Sequence, residues 1–297
     1  MTLSTINPSI AVIYGELVLS LYPIVIKTVN TNIFTQTLSR FLVFPILALA
    51  FGNITDFTKI WGNPFESFAA ILHGLLNLGH VLVSYISYKS LPTGAAVSLF
   101  YLYPIFNIII ASIGLNESFP PIVLLLVTLA MIGTYLIASS HLEKNKDDPI
   151  KYKKSMIGII AGILSALTES VIFYFIRSNE DATKSPFYTI NHLYPAGLAT
   201  LSLMGISSDK NLLDTSPTNW IKLIGFNAII GFTGYLARFY GIAKVNTVVF
   251  SMLSFIGVIS AYIWGRIFTK EEITKRGITG GILIASSISI ARYFGMI

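Results

Sequence analysis

Residues 87–118 read SYKSLPTGAAVSLFYLYPIFNIIIASIGLNES. From Thr93 to Gly114 this stretch has no charged side chain, and Glu117 closes it. Its length matches the roughly 20 apolar residues a helix needs to cross a ~30 Å hydrocarbon core. Comparable stretches recur along the chain, and ten spans are expected, at about 8–28, 33–52, 66–88, 93–114, 120–140, 156–177, 187–206, 219–242, 246–268 and 276–295. All are too long for transmembrane strands. A helix satisfies every backbone group within its own segment, which lipid demands.

The composition agrees. Of 297 residues, 54% are apolar and 11% charged, against about 25% charged in an ordinary soluble domain. Mean hydropathy is +0.71. These figures exclude disorder and collagen-like structure, and leave a polytopic membrane protein rather than a soluble enzyme. The absence of cysteine excludes disulfides, zinc–thiolate centres and cysteine nucleophiles. Net charge is 20 − 14 = +6. Met1 to Asn7 hold no Lys or Arg, and Glu16 interrupts the first apolar run. No cleavable leader is therefore expected, and the first span should remain in place.

The opening stretch has a counterpart. At an offset of 154, Leu91-Pro92-Thr93 falls on Val245-Asn246-Thr247, and Glu117 falls on Glu271. An offset of 153 carries Glu16 onto Glu169, both near the middle of their spans. The charged loop 141–155 (HLEKNKDDPIKYKKS) divides the spans five and five. The expected organisation is a first repeat over 1–140, a linker over 141–155 and a second repeat over 156–297. Five is odd, so the second repeat re-enters the membrane inverted. Inverted repeats are a common build for secondary transporters, with the site near the midplane between the halves. The competing reading is a duplication kept only for packing.

Those residues also carry a resemblance. Ser90-Leu91-Pro92-Thr93-Gly94-Ala95, then Pro104, then Glu117, resemble the third-to-fourth-helix signature of the EamA-type drug/metabolite transporters. The second-half stretch AKVNTVVFSMLSFIGVISAYIWGRIFTKEE, residues 243–272, resembles its partner but has Gly257-Val258 where the mid-helix proline would stand. Pro23, Lys27 and Arg40 fit the family's first helix pair. The resemblance implies an all-α integral membrane fold of ten transmembrane helices in two inverted five-helix repeats. It also implies a central cavity lined by helices 1, 3, 4, 6, 8 and 9, and transport without ATP. No P-loop is present, which disfavours an ATP-driven pump independently.

Ionisable groups inside spans are costly and usually face a bundle interior or a wet cavity. His73, Asn77, His80 and Ser84 recur at i, i+4, i+7 and i+11, one face of span three. The shift by 154 carries them onto Asn227, Gly231, Gly234 and Arg238 of span eight. The two faces are expected to oppose each other across a substrate path, with helix packing as the alternative. The candidate substrate-binding residues are His73, Asn77, His80, Tyr101, Arg238 and Ser251, the last on a stripe with Thr247 and Ser254. Glu16 and Glu169 are candidate proton carriers, since a desolvated carboxylate exchanges protons more readily near neutrality. Arg40 and His192 occupy matching places and could pair with a carboxylate or hold an anionic substrate group. Pro104 is a candidate hinge, because it cannot donate to the helix ladder. Glu117 and Glu271 read as terminating or anchoring their helices at the interface, and the linker lysines as a solvated run, with attraction to anionic lipid as the alternative.

The resemblance places both termini in the cytoplasm. The Lys and Arg of loops 141–155 and 269–276 argue for the opposite orientation. Both readings put the termini on the same side.

The expected function is secondary transport, as exporter or exchanger, of small organic metabolites such as amino acids or amines, by alternating access. A phosphate-sugar or nucleotide-sugar antiporter is the alternative, and a non-transporting scaffold or sensor the alternative from another class. His73 and His80 do not make a zinc HExxH motif, and no catalytic residues, cofactor or metal are expected. The expected partners are a small-molecule substrate, protons or a counter-substrate, and the lipid bilayer. Nucleic acid is not among them. The chain is expected to act as monomer or homodimer.

Overall fold

The computed structural model describes residues 6–142, 148–206 and 215–295. Among these the regular structure is helical, with no strand. The long helices are α1 (Pro8–Thr28), α2 (Ile33–Phe51), α3 (Pro64–Ser90), α4 (Thr93–Gly114), α5 (Pro121–Leu142) and α6 (Pro149–Ser178). They continue with α7 (Pro186–Asn191, resuming at Tyr194–Ile206), α8 (Pro217–Lys244), α9 (Thr247–Phe268) and α10 (Lys275–Tyr293). Short helices at Ile54–Gly62 and Glu180–Lys184 precede α3 and α7. Among the described residues 8 helices are long and apolar enough to cross a membrane. The two outside that set are α7, made less apolar by Asn191, His192 and Pro195, and α10, diluted by Gly, Ser and its terminal charges. They pack along α2 and α5.

Helix starts are punctuated by the same device. Asn7, Asn63, Asp148, Ser185 and Ser216 each precede a proline and accept a backbone N–H of the first turn. The cap satisfies an orphan donor, and the proline sits where its missing N–H costs nothing. The linker expected over 141–155 lies partly outside the described residues. Asp148 starts α6 at Pro149, so Lys151, Lys153 and Lys154 stand on helical turns rather than in a loop.

The packing exchanges partners between the halves. Helix α1 lies along α8, and α3 lies along α6. Shifting by 153–154 residues converts the first contact into the second, while α2–α7 and α5–α10 map onto themselves. The side chains repeat the pattern. The Tyr22 hydroxyl donates to Asn227 Oδ1 at 2.7 Å, and the corresponding Phe175 stacks on His73 with ring centroids 4.0 Å apart. A π-helical turn over Asn227–Gly231 interrupts α8 and sets Asn227 between Tyr22 and Ser39.

The breaks also correspond. Helix α4 is interrupted at Tyr101–Leu102, and α9 at Phe255, which is Tyr101 plus 154. Pro104 accounts for the first by withholding a donor. At the second, no proline is needed. A Cβ on Gly257 would sit 1.9 Å from the Tyr101 hydroxyl, so glycine there lets Tyr101 cross toward α1.

The α5–α10 seam is equally tight. A Cβ added to Gly280 would lie 2.3 Å from the Gly133 carbonyl, which is backbone and cannot rotate away. Gly280→Leu should therefore destabilise by about 1–3 kcal/mol through overpacking. Gly281→Leu, which meets nothing within 4 Å, should be silent. Thermal unfolding in detergent compares the two, and equal midpoints would refute the seam.

Candidate functional site

Glu16 stands two-thirds of the way along the first segment of α1 and is 0% exposed. Its carboxylate is held from three other helices. Arg238 Nη1 of α8 lies 2.5 Å from Oε1. From α4, Tyr101 donates to Oε2, and Tyr103 donates to Oε1 at 3.3 Å. From α9, Ser254 donates to Oε1 at 3.4 Å. Arg238 then reaches α6, where its Nε donates to Glu169 Oε1 at 3.0 Å and its Nη2 lies 2.8 Å from the same oxygen. The second oxygen of Glu169 faces His80 Nε2 of α3 at 3.3 Å. On its other side, His80 Nδ1 lies 3.0 Å from Thr168 Oγ1 and 3.2 Å from the Ser165 carbonyl. Glu169, Arg238 and His80 are all at most 3% exposed.

One guanidinium therefore serves two carboxylates drawn from opposite halves. At membrane depth such charges persist only when paired and hydrogen-bonded. His80 has a further property. The Ser165 carbonyl can only accept, so it favours hydrogen on Nδ1. A bond between Nε2 and Glu169 then needs one more proton, carried by either group.

Beside this network lies a cavity of about 20 Å³, lined by His80, Ser84, Tyr101 and Arg238, with Arg40 opposite. That is room for one or two waters rather than a metabolite, so the centre is constricted in this conformation. The wall is aromatic, with Tyr22, Tyr85, Tyr88 and Tyr235.

Of the sequence candidates, Glu16, Glu169, Arg238, His80 and Tyr101 converge here. Arg40 lines the same cavity without touching the network. His73 and Asn77 do not reach it. They sit nearer the start of α3, with Asn77 Nδ2 3.1 Å from His73 Nε2, and His73 beside His192 with centroids 5.4 Å apart. Neither Arg40 nor His192 pairs with a carboxylate among the described residues. Both ring nitrogens of His192 lack a hydrogen-bond partner. The Ser251 hydroxyl is buried and unpartnered, away from the cavity. Pro104 lies just past the α4 break. Tyr103 was not singled out as a carboxylate ligand by its spacing, although it flanks that proline.

Two further ion pairs join the halves near opposite faces. Lys27, at the end of α1, lies 3.0 Å from Glu271, which follows α9. The same carboxylate accepts the Thr93 N–H at 2.8 Å. Arg177, at the end of α6, lies 3.2 Å from Glu117, which follows α4. It also donates to the Val245 carbonyl at 2.7 Å. Glu117 and Glu271 therefore do more than terminate helices. Burial alone would raise the Glu271 carboxyl, but the Lys27 ammonium and the Thr93 N–H outweigh it and hold the group below the usual carboxylate range.

The arrangement defines an integral, multi-pass helical membrane protein with a charge network clamped between two related halves. The chain belongs to the EamA-like transporter family, whose sequence pattern it matches twice, over residues 7–139 and 156–293. An uncharacterized transporter of Archaeoglobus fulgidus is 26% identical over 284 residues, covering 94% of this chain and 96% of that one. An uncharacterized transporter of Synechocystis is 22% identical over 228 residues, covering 74% of this chain and 65% of its own length. A protein of known crystal structure superposes with a TM-score of 0.73 at 14% identity, covering 98% of this chain and 99% of that one. That likeness concerns the fold.

Proposed function

We propose that the chain is a secondary transporter of small organic metabolites, working by alternating access through the central chamber and catalysing no covalent chemistry. In this reading α7 and α10 also cross the bilayer, completing two inverted sets of five spans. The observation that carries it is the Glu16–Arg238–Glu169–His80 network. It is fully buried, drawn from four helices of both halves, and borders a narrow chamber between them. A buried polar network at a constriction between halves that exchange packing partners suits a path opened from each side in turn.

The network also supports proton coupling. Two carboxylates share one guanidinium, so adding a proton to Glu16, or to the Glu169–His80 pair, changes which partner Arg238 favours. Solutes that carry a carboxylate suit this network better than simple amines, because both glutamates are already engaged by Arg238. Purified protein in liposomes should move members of a metabolite panel, faster with an imposed pH gradient. Glu16→Gln should remove at least tenfold of the gradient-driven flux. A panel-wide absence of flux would sink the proposal. Both termini stand on one face in this reading, the cytoplasmic one by family resemblance. Labelling of a single cysteine at position 148 from outside only would support that placement, and labelling from inside only would reverse it.

A further inference from the structure

Arg40 of α2 is 3% exposed and lines the central cavity. Aromatic rings surround it. Its guanidinium carbon lies 4.1 Å from the Tyr235 ring centroid, 5.3 Å from that of Tyr22 and 5.4 Å from that of Phe44. The Tyr85 hydroxyl bonds to it, yet its Nε has no hydrogen-bond partner. No carboxylate among the described residues pairs with it, whereas Arg238, across the same cavity, contacts two.

This imbalance has a chemical meaning. An Arg at membrane depth is costly, and ring faces return part of that cost through cation–π attraction. They do not bond to the in-plane N–H donors, and Nε stays unpartnered beside the Tyr85 bond. A guanidinium presents those donors as a fork that matches a carboxylate bidentately.

We propose that Arg40 is the receptor for the carboxylate of a small monoanionic substrate, whose flat or apolar body lies against Tyr22, Tyr85 and Tyr235. This rests on the reading of the chamber as a solute path. A phosphate group brings about −1.5 to −2 charges and would call for more than one free cation. The second guanidinium on the cavity wall is committed to Glu16 and Glu169. An amine would meet a cation rather than a free carboxylate. The charge sum agrees, since Arg40, Arg238, Glu16 and Glu169 total zero when all are ionised. One bound carboxylate is then neutralised by one proton taken up on the glutamate network, faced by Arg238, His80, Tyr101, Tyr103 and Ser254. The chamber must widen to admit the ligand, because it measures about 20 Å³ when closed.

The test is isothermal titration of the full chain in detergent with three probes sharing one ring: phenylacetate, phenethylamine and phenyl phosphate. Phenylacetate should bind, and bind more tightly than the other two. Arg40→Gln should weaken it at least tenfold, and Arg40→Lys, which keeps the charge but loses the fork, should weaken it less. Should Arg40→Gln fail to give monodisperse protein, the loss in Arg40→Lys decides. Preferential binding of the amine or the phosphate, binding indifferent to Arg40, or no binding of any probe overturns the assignment. Binding is read without flux, so the two readings fail separately. Carboxylate binding without transport would refute only the transport reading, and Arg40-independent transport of amines would refute only this one.

Discussion

Arg238→Gln should destabilise the protein by about 3–5 kcal/mol, the scale for removing one partner of a buried ion pair. The loss is large against the roughly 5–15 kcal/mol that holds a typical domain together. Glu16 and Glu169 are 0% and 2% exposed, and Arg238 is the cation in contact with both. Tyr101, Tyr103, Ser254 and His80 would remain as ligands, but two carboxylates would lose their shared counter-charge in a low-dielectric core. The expected readout is a sharply lowered unfolding midpoint in detergent and loss of flux. The triple variant Glu16→Gln, Glu169→Gln, Arg238→Leu separates structure from function. Replacing a buried charged set with neutral groups is often harmless or stabilising, so this variant should regain most of the midpoint while remaining silent in transport. Wild-type stability in Arg238→Gln would mean the carboxylates are neutral without it, and the network would need redrawing.

The residues of this network were legible in the sequence, while its pairing was not. Glu16 and Glu169 stood out as charges within apolar runs, and the offset of 153 tied them together. Arg238 emerged as the symmetry mate of Ser84 and was read as facing substrate. In the structure it joins the glutamates, a contact between helices separated by 222 residues for Glu16 that periodicity within one helix cannot reveal. The polar stripe on span three was read as one functional face. A helix of 27 residues traverses the whole bundle, so its two ends serve different places. His80 and Ser84 reach the cavity, and His73 joins His192. Arg40 was ambiguous because a lone cation in a sequence does not say whether an acid lies opposite. The break in α9 had no proline to announce it, and the close approach of Tyr101 to Gly257 beside it is a tertiary fact. The long helices were readable because each is a predominantly apolar run of spanning length, a property that needs no partner.

Glu117 and Glu271 were read as terminating or anchoring their helices, and the cations they pair with lead to the second large effect. Each follows the fourth helix of its half and pairs with a cation at the end of the first helix of the other half. The two pairs lie at opposite ends of the bundle, because α1 and α4 run in opposite directions, as do α6 and α9. Both are formed here, and the chamber between them is too narrow for a metabolite. Alternating access requires each end to part in turn, so a bridge across either end should stop transport. The chain contains no cysteine, so pairs can be introduced without background. Lys27→Cys with Glu271→Cys serves one end, and Glu117→Cys with Arg177→Cys the other. These side chains keep 15% to 27% of their surface exposed, and replacing both partners of a pair together leaves no unpaired charge behind. The unbridged variants should therefore fold and transport. A short bifunctional thiol reagent with a reducible link should cut flux at least tenfold in either variant, and a reductant should restore it. A bridge that leaves flux unchanged at one end would show that end to be static, and the same result at both ends would exclude alternating access through these two ends.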